Sequence, residues 1–579
     1  MTCALLPYLF AAMLGGASAA NPAAVVPTAE PVVGAPTLHS IGVHWVLGGD
    51  ENQNAEVRLA WRTTGGAWHE GMPLLRVEKG AQKPEKGHGS VEVPADARLY
   101  AGSVLWLEPG TDYEIKLHLI DPDGGDVEKL LKARTIAEPV APKDAVELHV
   151  APGNGGGHGT AADPFRGLKT AQAQAKPGTI FLVHAGTYAP TFTITASGEP
   201  GRPIIWRGAG DGEAIIDGTA AEEGHAARLV SLEAMHDVWL EGLILRNGGK
   251  AIVGNRSARI VVRGCHISGV EFGIVVTRND DDSVRGWFVA DNVIEGPSTW
   301  PRTKGIEDAR GIQLTGEGHE VCYNRIRAFG DALDTFPSAR CADIDFHNNE
   351  LSELTDDGIE LDYSERNVRC FDNRLTNVFQ GISTQPVFGG PIYVVRNALY
   401  NVDHEPFKLH NNPSGALIYH NTVVKRGAPS FIYTNQSVHN SRTRNNLFIG
   451  TDGDYAYESS AKMKDCDFDY DGFGGGPWKF FLKWNNQRYR TLDEVHQNAP
   501  VWRHATLVDP ATAFANGTVV PSDEKAVQAA TDLRLKAGTA ALDAGEKLPG
   551  LNDGFAGPAP DLGAYEFGSA LPGYGPRRK

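Results

Sequence analysis

Residues 349–373 read NELSELTDDGIELDYSERNVRCFDN, a stretch that begins and ends on asparagine. The same residue recurs through the middle of the chain, at Asn324, Asn349, Asn373, Asn397, Asn421 and Asn446. The gaps between successive members are 25, 24, 24, 24 and 25 residues. A fixed period of this size indicates a stacked repeat in which each turn contacts its neighbours. We expect these asparagines to be internal and to bond along the stack at a turn.

One short strand of the same pattern occurs in each of five successive turns: Arg310–Thr315, Asp331–Phe336, Asp357–Asp362, Gln380–Gln385 and Glu405–His410. The third and fifth positions are apolar or small, as at Ile359 and Leu361, so we expect them to face the core. The fourth and sixth positions, such as Glu360, then face outward. Because neighbouring coils lie about 4.8 Å apart, residues at the same position of successive strands become neighbours.

This register collects carboxylates on one outward face: Asp331, Asp334, Asp356, Asp357, Glu360 and Asp362. Lys408 lies two coils from Glu360 on the same face, roughly 10 Å away. A solvated polar face would account for any one of these residues. Like charges stacked this closely repel unless a cation neutralises them, so we predict a functional site here.

Calcium is the cation that suits these side chains, because it takes six to eight oxygen ligands, often from carboxylates. We predict a calcium site formed by four of them: Asp331, Asp356, Asp357 and Glu360. Five cysteines remain beyond the N-terminus, at irregular spacing and without a CxxC pattern, so zinc is not expected. We expect these cysteines to be small buried side chains, with at most one disulfide bond among them.

Two of the motifs resemble a known family. Residues 355–361, Thr-Asp-Asp-Gly-Ile-Glu-Leu, resemble the Asp-Asp-Gly-aromatic-Asp-Leu signature of family nine polysaccharide lyases, the calcium-dependent pectate lyase type. Residues 405–409, Glu-Pro-Phe-Lys-Leu, resemble that family's Asn-Gly-Phe-Lys-Leu, which carries the catalytic lysine. Asp331 corresponds to the family's remaining calcium ligand. Glu360 stands where the family has aspartate, and Pro406 where it has glycine.

The resemblance implies a right-handed parallel β-helix that cleaves a uronate-containing polysaccharide by calcium-assisted β-elimination. Lys408 would take the C5 proton as the base. A nearby cation and burial are expected to lower the pKa of Lys408 so that it can do so. The substrate would be bound by Arg310, Asp334, Asp362, Gln385, His404 and His410.

Three other functions could use the same face. A glycoside hydrolase needs two carboxylates about 5–5.5 Å apart for retention or about 6.5–9.5 Å apart for inversion, which Asp334, Glu360 and Asp362 could supply. A uronan C5-epimerase would share the proton abstraction without cleaving the chain. A non-catalytic glycan-binding β-helix would show no turnover and would keep its affinity after Lys408→Ala.

The N-terminal part differs from the repeats in its composition and in its pattern of apolar residues. Residues 1–20 hold an apolar stretch and a small-residue cleavage pattern, which predicts a signal peptide and a secreted or periplasmic protein. Residues 21–36 are predicted to be a linker. Residues 37–137 alternate apolar and polar residues between turn signals, which predicts a small β-sandwich. Within it, Leu107–Leu119 resembles the strand and tyrosine corner of fibronectin type III domains.

The β-helix is predicted over residues 143–570, giving an all-β protein. Residues 151–188 resemble the opening coils of secreted right-handed parallel β-helices. Residues 452–500 break the period and are interpreted as an insertion or terminal elaboration, and Leu533–Glu566 is predicted to cap the open end.

The net charge of −17 argues against binding nucleic acid or anionic lipid. We expect a monomer without a membrane span, and a polysaccharide as its partner.

Overall fold

The structure, a computed structural model, describes residues 24–81, 91–224, 227–278, 283–302, 308–336, 341–430, 432–433, 436–459 and 461–578. The predicted signal peptide lies outside the described residues. The described part is an all-β protein in which a small β-sandwich precedes a long parallel β-helix, so the predicted fold class is confirmed. No helix in the described ranges is long and apolar enough to cross a membrane.

Two antiparallel sheets form the β-sandwich. One comprises Val26–Pro27, Val32–Val33, Ile41–Gly48, Leu75–Arg76 and Ala97–Val104. The other comprises Glu56–Thr63, His69–Gly71, Asp112–Ile120 and Asp126–Arg134. Their facing side chains, including Trp45, Val57 and Ile115, pack in one buried core. The Glu108 N–H donates to Tyr113 Oη at 2.8 Å, which is the tyrosine-corner contact that the sequence predicts.

The β-helix has about 11 turns and two long parallel sheets. The first, called here the docking sheet, holds 16 strands in the described ranges: Val146–Ala151, Phe165–Arg166, Thr179–Val183, Ile204–Gly208, His236–Glu241, Ala258–Arg263, Phe288–Ala290, Glu320–Cys322, Asp345–His347, Val368–Phe371, Phe388–Val395, Ser414–Tyr419, Val438–His439, Arg442–Arg444, Met463–Lys464 and Asp467–Phe468.

The second, called here the bent sheet, holds 19 strands over the same ranges: Gly186–Tyr188, Phe192–Thr193, Ala214–Asp217, Arg228–Ser231, Ile244–Val253, His266–Val276, Val293–Glu295, Arg310–Leu314, Arg325–Arg327, Asp331–Thr335, Glu350–Glu360, Arg374–Ser383, Ala398–Val402, Phe407–Lys408, Thr422–Val424, Ile432–Tyr433, Leu447–Ile449, Gly472–Gly474 and Thr506–Leu507. Residues such as Glu353 and Asn377, with φ of 57° and 58°, divide it into two limbs. The site limb is residues 228–231, 250–253, 272–276, 310–314, 331–335, 357–360, 380–383 and 407–408.

The remaining elements are short. Gly316–Glu317 pairs with Cys341–Ala342, and Gly453–Glu458, Trp478–Trp484 and Gln487–Tyr489 form a terminal sheet. The helices are Leu168–Gln172 and Leu492–Asn498, with 3-10 turns at Gly218–Ala220 and Pro510–Thr512. The five cysteines at 265–466 are free thiols, four of them buried, which agrees with the prediction that they are small buried side chains.

The inward positions of the site limb form the core of the helix, as the repeat predicts. The side chains in the third column are at most 1% exposed: Ile312, Leu333, Ile359, Ile382 and Phe407. The pairing of Leu333 with Ile359, and of Asp334 with Glu360, is the register expected from the asparagine alignment. The predicted alternation of inward and outward side chains is therefore confirmed in these strands.

The asparagine ladder lies inside the turn between the docking sheet and the bent sheet. Asn324 donates both its backbone N–H and its Nδ2 to Asn349 Oδ1, each at 3.0 Å, and the same pair of bonds repeats to Asn446. The ladder also begins earlier than predicted, at Asn292, where the spacing of 32 residues breaks the period. It ends on Asp471, whose carboxylate only accepts hydrogen bonds.

The C-terminal residues contradict the predicted cap. The open end of the core is covered by aromatic side chains, among them Phe481, Trp484 and Trp502. The tail beyond runs back along the outside of the ladder turn, where Asn445 donates to the Glu546 carbonyl at 2.8 Å and Arg577 pairs with Asp291 at 2.7 Å. Large rings bury the core end, whereas the more polar tail bonds to turn residues along the flank.

The sandwich packs on the outer face of the docking sheet through buried polar contacts. Leu38 N donates to Glu320 Oε2 at 2.8 Å, and Thr37 Oγ1 donates to Asp345 Oδ2 at 2.6 Å. Arg369, which is fully buried, pairs with Asp345 and donates to Ser103 Oγ at 3.1 Å. We call Thr37, Leu38, Ser103, Glu320, Asp345 and Arg369 the docking network. The contacts between the two parts are hydrogen bonds to buried charged groups, each worth about 1.5–3 kcal/mol, so they hold the sandwich in place.

Candidate active site

The outward face of the site limb holds the acidic cluster, which comprises Asp331, Asp334, Asp356, Asp357, Glu360 and Asp362. These side chains point away from the core, yet four of the six are buried. Asp331 and Asp357 are 0% exposed, and Asp334 and Asp362 are each 4% exposed. Because buried carboxylates need a partner or a proton, the cluster is far from an ordinary polar surface.

A β-bulge shapes the middle of the cluster. Between Leu354 and Asp357 the strand holds one more residue than its neighbour does between Val378 and Gln380. Bulges of this kind redirect side chains, and they are common beside active sites. Here Asp357 N donates to Asp331 Oδ1 at 2.7 Å, which ties two coils together at the cluster.

Three carboxylates converge. Asp331, Asp357 and Glu360 each place one oxygen within 4.8 Å of the oxygens of the other two. Asp357 Oδ1 is buried and has no hydrogen-bond donor. An oxygen-only donor set with an unsatisfied buried oxygen fits a calcium ion. Asp356, predicted as a fourth ligand, lies outside this convergent set, because its carboxylate pairs with Arg302 at 3.1 Å.

Lys408 reaches this set across one coil. Its Nζ lies 2.6 Å from Asp357 Oδ2, and its side chain is 9% exposed. In the coil between them the register partner of Lys408 is Ser383, a small side chain. The sequence therefore predicted the neighbourhood correctly, and the direct ion pair is new.

The pKa of Lys408 is set by opposing effects in the structure, and the lowering expected beside a bound cation stays a prediction. Burial alone would lower the pKa, but the carboxylates of Asp357 and Asp362 outweigh burial and raise it above the ordinary lysine value. Without a cation beside those carboxylates, Lys408 is an ammonium group. The sequence analysis counted the effect of the predicted cation and did not foresee the ion pair that opposes it.

Arg310 is committed to the cluster. Its Nη1 lies 2.5 Å from Asp331 Oδ2 and its Nε lies 3.4 Å from Asp334 Oδ2. Burial opposes its charge, yet the surrounding carboxylates raise the pKa of Arg310. Its side chain is 17% exposed. This guanidinium neutralises carboxylates of the site, and its predicted contact with substrate stays a prediction.

Burial also changes the acids. It raises the pKa of Asp334 to about 6 and that of Asp362 to about 8, against the opposing charges of Arg310 and Lys408 respectively. The pKa values of Asp331 and Glu360 are raised well above their ordinary range, first by burial and then by neighbouring carboxylates. At neutral pH the cluster therefore retains protons unless a cation takes their place.

The raised pKa of Asp362 predicts a pH-dependent stability in chelator. Unfolded aspartate loses its proton near pH 3.9, whereas folded Asp362 keeps it to about pH 8. Folding is thus favoured at low pH, and this stability is lost as the pH rises towards 8, by up to about 1.4 kcal/mol per pH unit.

Asp362→Asn isolates this effect, because its Oδ1 can still accept from Ser383 Oγ and Gln385 N, now at 2.8 and 2.6 Å. We expect the thermal midpoint of the variant to fall less than that of wild type between about pH 5 and pH 8. The two are compared by thermal unfolding in chelator across that range. Parallel curves would show that Asp362 titrates normally in the folded protein.

The other predicted substrate residues surround the cluster unevenly. Gln385 contacts Asp362 through its backbone N–H. His410 is half-buried, and burial together with Lys408 lowers its pKa to about 4, so it is neutral. His404 has a side chain 54% exposed that contacts Glu405 and stacks on the Phe379 ring, with centroids 5.3 Å apart.

Arg302 and Phe379 were missed by the sequence analysis. The Arg302 guanidinium lies 4.1 Å from the Phe379 ring centroid, so Arg302, Phe379 and His404 form a continuous rim stack beside Asp356. Arg302 lies outside the repeated strands, so no periodic signal marks it. Phe379 directly precedes Gln380, in the same column as Asp356 and His404, and extending the alignment by one column would have found it.

The pairing of Asp356 with Arg302 allows an experiment that distinguishes Asp356 from the proposed calcium ligands. Asp356→Asn is expected to retain most of any calcium-induced rise in thermal midpoint, because its carboxylate pairs with Arg302 rather than joining the convergent set. Thermal unfolding with calcium and with chelator measures this increment. Complete loss of the increment in Asp356→Asn would restore the ligand role that the sequence predicts.

A second group of possible metal ligands, Glu320, Cys322 and His347, lies fully buried under the sandwich. Its polar atoms are already used. Glu320 bonds His347 Nε2 at 2.5 Å and Leu38 N at 2.8 Å, while His347 Nδ1 bonds Asn348 Oδ1 at 2.6 Å. This group therefore belongs to the attachment of the sandwich.

Comparison with known proteins gives the hand of the helix. The family model described as "Right handed beta helix region" matches residues 224–386, which include the acidic cluster. An uncharacterized protein of Bacillus subtilis (strain 168), YwoF, is 27% identical over 202 residues, or 31% of this chain and 41% of that protein. The aligned part thus spans about two fifths of the relative's length.

Similarity to solved structures is weak in both sequence and superposition. The catalytic domain of a GH87 alpha-1,3-glucanase in complex with nigerose is 13% identical, with a TM-score of 0.30, over 78% of this chain and 88% of that one. A tailspike protein mutant of Escherichia coli bacteriophage HK620, in complex with a pentasaccharide, is 11% identical, with a TM-score of 0.28, over 63% and 72%. These likenesses identify no substrate for this chain.

Proposed function

We propose that the protein is a calcium-dependent polysaccharide lyase that cleaves a uronate-containing polymer on the site limb. One observation carries the proposal: the carboxylate of Asp357 belongs both to a convergent oxygen set and to an ion pair with Lys408 at 2.6 Å. Asp357 therefore belongs to the set of carboxylates proposed to bind a cation and also contacts the amine proposed to accept a proton. The family nine resemblance and the buried, unsatisfied Asp357 Oδ1 support the same chemistry.

Asp331, Asp357 and Glu360 would hold the calcium ion. When bound, calcium neutralises the uronate carboxylate and stabilises the negative charge that develops as the C5 proton leaves. Arg310 is proposed to moderate the charge of Asp331 and Asp334 so that the cluster remains compact. Asp334, Asp362, Gln385, His404 and His410 remain proposed substrate contacts.

Lys408 would be the base. Its neutral amine takes the C5 proton, the C–H electron pair forms the C4–C5 double bond, and the bond from C4 to the glycosidic oxygen breaks. The departing oxygen takes up a proton. Because Asp357 otherwise keeps Lys408 protonated, turnover is expected only when a cation offsets the carboxylate charge. Export and a monomeric state remain proposals alongside this activity.

A glycoside hydrolase is the second candidate, and one observation favours it. Asp362, with a pKa of about 8, holds a proton at neutral pH inside a cluster that also contains ionised carboxylates. A protonated and an ionised carboxyl group are the pair that glycoside hydrolysis requires. In this case Lys408 would bind the substrate as a cation.

A polysaccharide panel distinguishes the candidates. Wild type is incubated with polygalacturonate, alginate and neutral glucans, with calcium or with EDTA. A lyase gives unsaturated uronate absorbance with calcium only. Reducing ends without that absorbance, formed also in EDTA, would replace the lyase by the hydrolase. Deuterium uptake at C5 without cleavage would indicate an epimerase, and binding without any product would indicate a non-catalytic glycan-binding protein.

A further inference from the structure

The first position of the site-limb strands forms one column whose charge changes along the helix axis. Arg228 pairs in register with Lys250, Lys250 with Phe272, Phe272 with Arg310, and Arg310 with Asp331. Each step is one coil, about 4.8 Å. Along this edge of the site limb, the coils that present Arg228, Lys250 and Arg310 therefore precede the coil in which the acidic cluster begins. We call Arg228, Lys250 and Arg310 the basic column.

The two outer members of the basic column are available to a ligand. Arg228 is exposed and Lys250 is half-buried, and no described acidic side chain lies within ion-pair distance of either. Arg310 differs, since Asp331 already pairs with it. Lys250 Nζ lies 4.7 Å from the centroid of the Phe272 ring, which is itself half-buried. The column therefore presents cations beside an aromatic ring.

The side chains at the fourth position of the same strands, next to these cations, are uncharged. At the fourth position the register aligns Ser231, Val253 and Val275, in the same coils as Arg228, Lys250 and Phe272. The contrast with the rest of the molecule is large, because the chain as a whole carries a net charge of −17. A local row of cations on an acidic protein attracts an anionic ligand to that row and repels it elsewhere.

We propose that Arg228 and Lys250 are a binding subsite for the carboxylates of a polyanionic glycan whose chain lies along the helix axis. The subsite rests on the proposed function for its purpose: it holds residues of the polymer that flank the one reacting at the acidic cluster. Arginine can bind a carboxylate through two parallel hydrogen bonds, and lysine acts as a point charge. Cations placed one per coil suit a repeated anion better than a single one.

The test measures binding without turnover. Full-length Lys408→Arg protein, which can keep the ion pair with Asp357 but is not a neutral base, is titrated with polygalacturonate, alginate and neutral dextran at two salt concentrations. Adding Arg228→Ala and Lys250→Ala is expected to weaken binding of an anionic polymer about tenfold, or about 1.4 kcal/mol, and to reduce its salt dependence. Weak binding of dextran should not change. Replacing both cations by glutamate should abolish anionic binding.

The control removes two other positive charges. Lys132 and Lys143 are exposed residues on the sandwich and just after it, so their double alanine variant matches the charge change without touching the site limb. All variants are checked by thermal unfolding. The subsite is overturned if the basic-column variants bind anionic polymers within twofold of their parent, if dextran binds as tightly, or if neither anionic polymer binds.

The subsite and the lyase fail in different ways. If anionic polymers bind through Arg228 and Lys250 while wild type forms no unsaturated product, the binding subsite is supported and the lyase activity is contradicted. If unsaturated product forms and the basic-column variants bind anionic polymers with unchanged affinity, the lyase activity is supported and the binding subsite is contradicted.

Discussion

Lys408→Arg should lower kcat/KM at least about 10³-fold while the protein remains folded and close to wild type in stability. Arginine can keep the ion pair that Lys408 makes with Asp357 at 2.6 Å. Its pKa exceeds 12, so it does not become a neutral base. The measurements are the rate of unsaturated product formation with calcium and the thermal midpoint.

Lys408→Ala is a weaker test, because it also leaves Asp357 buried without its cation, at a cost of about 3–5 kcal/mol. Lys425→Met provides the matched control. Lys425 is the other buried lysine of this region, 5% exposed, and donates to the carbonyls of Arg426 and Ala428 at 2.8 and 3.4 Å. Its loss should reduce stability and spare kcat. Substantial activity in Lys408→Arg would remove Lys408 as the base and favour the hydrolase.

Calcium should raise the thermal midpoint of the wild-type protein, and Asp357→Asn should abolish both this increment and turnover. Asp357 supplies a convergent oxygen, an unsatisfied buried oxygen and the ion-pair partner of Lys408, so this side chain links the two halves of the site. A ligand at 100 times its Kd stabilises a protein by about 2.7 kcal/mol. Thermal unfolding with calcium and with EDTA measures the increment.

Asp345→Asn is the matched control for this experiment. Asp345 is as fully buried as Asp357 and is also ion-paired, but it belongs to the docking network. The variant should be less stable than wild type and should still gain the full calcium increment. Equal increments in Asp357→Asn and wild type, or none in wild type, would contradict a calcium site at Asp357.

The sequence alone predicted the parts of the site that depend on periodicity. A repeat of 24 or 25 residues aligns the coils, and the two-residue period of a strand then separates Ile359, which faces inward, from Glu360, which faces outward. These two regularities placed Glu360 and Lys408 on one outward face, and the repeat placed Asp331 and Asp357 in adjacent coils at the start of their strands, before any coordinates were considered. The structure confirms that neighbourhood.

The parts that sequence analysis missed depend on local departures from periodicity. The bulge before Asp357 adds one residue relative to the strand of the next coil, and the two-residue period does not show how it redirects the side chains. Arg302 reaches Asp356 from outside the repeat. The ion pairs of Lys408 and Arg310 depend on side-chain reach across coils, so their pKa shifts and the buried state of the acids were not readable from alternation alone.

The docking network has a consequence for how this protein could have evolved. The β-sandwich is not an exchangeable module, since any replacement would have to offer a backbone N–H to Glu320 and hydroxyl groups to Asp345 and Arg369. A recombination event that joined a foreign domain at residue 137 would leave those charges facing a surface without matching groups. The two parts of the chain are therefore expected to be inherited together, with paired substitutions across the contact.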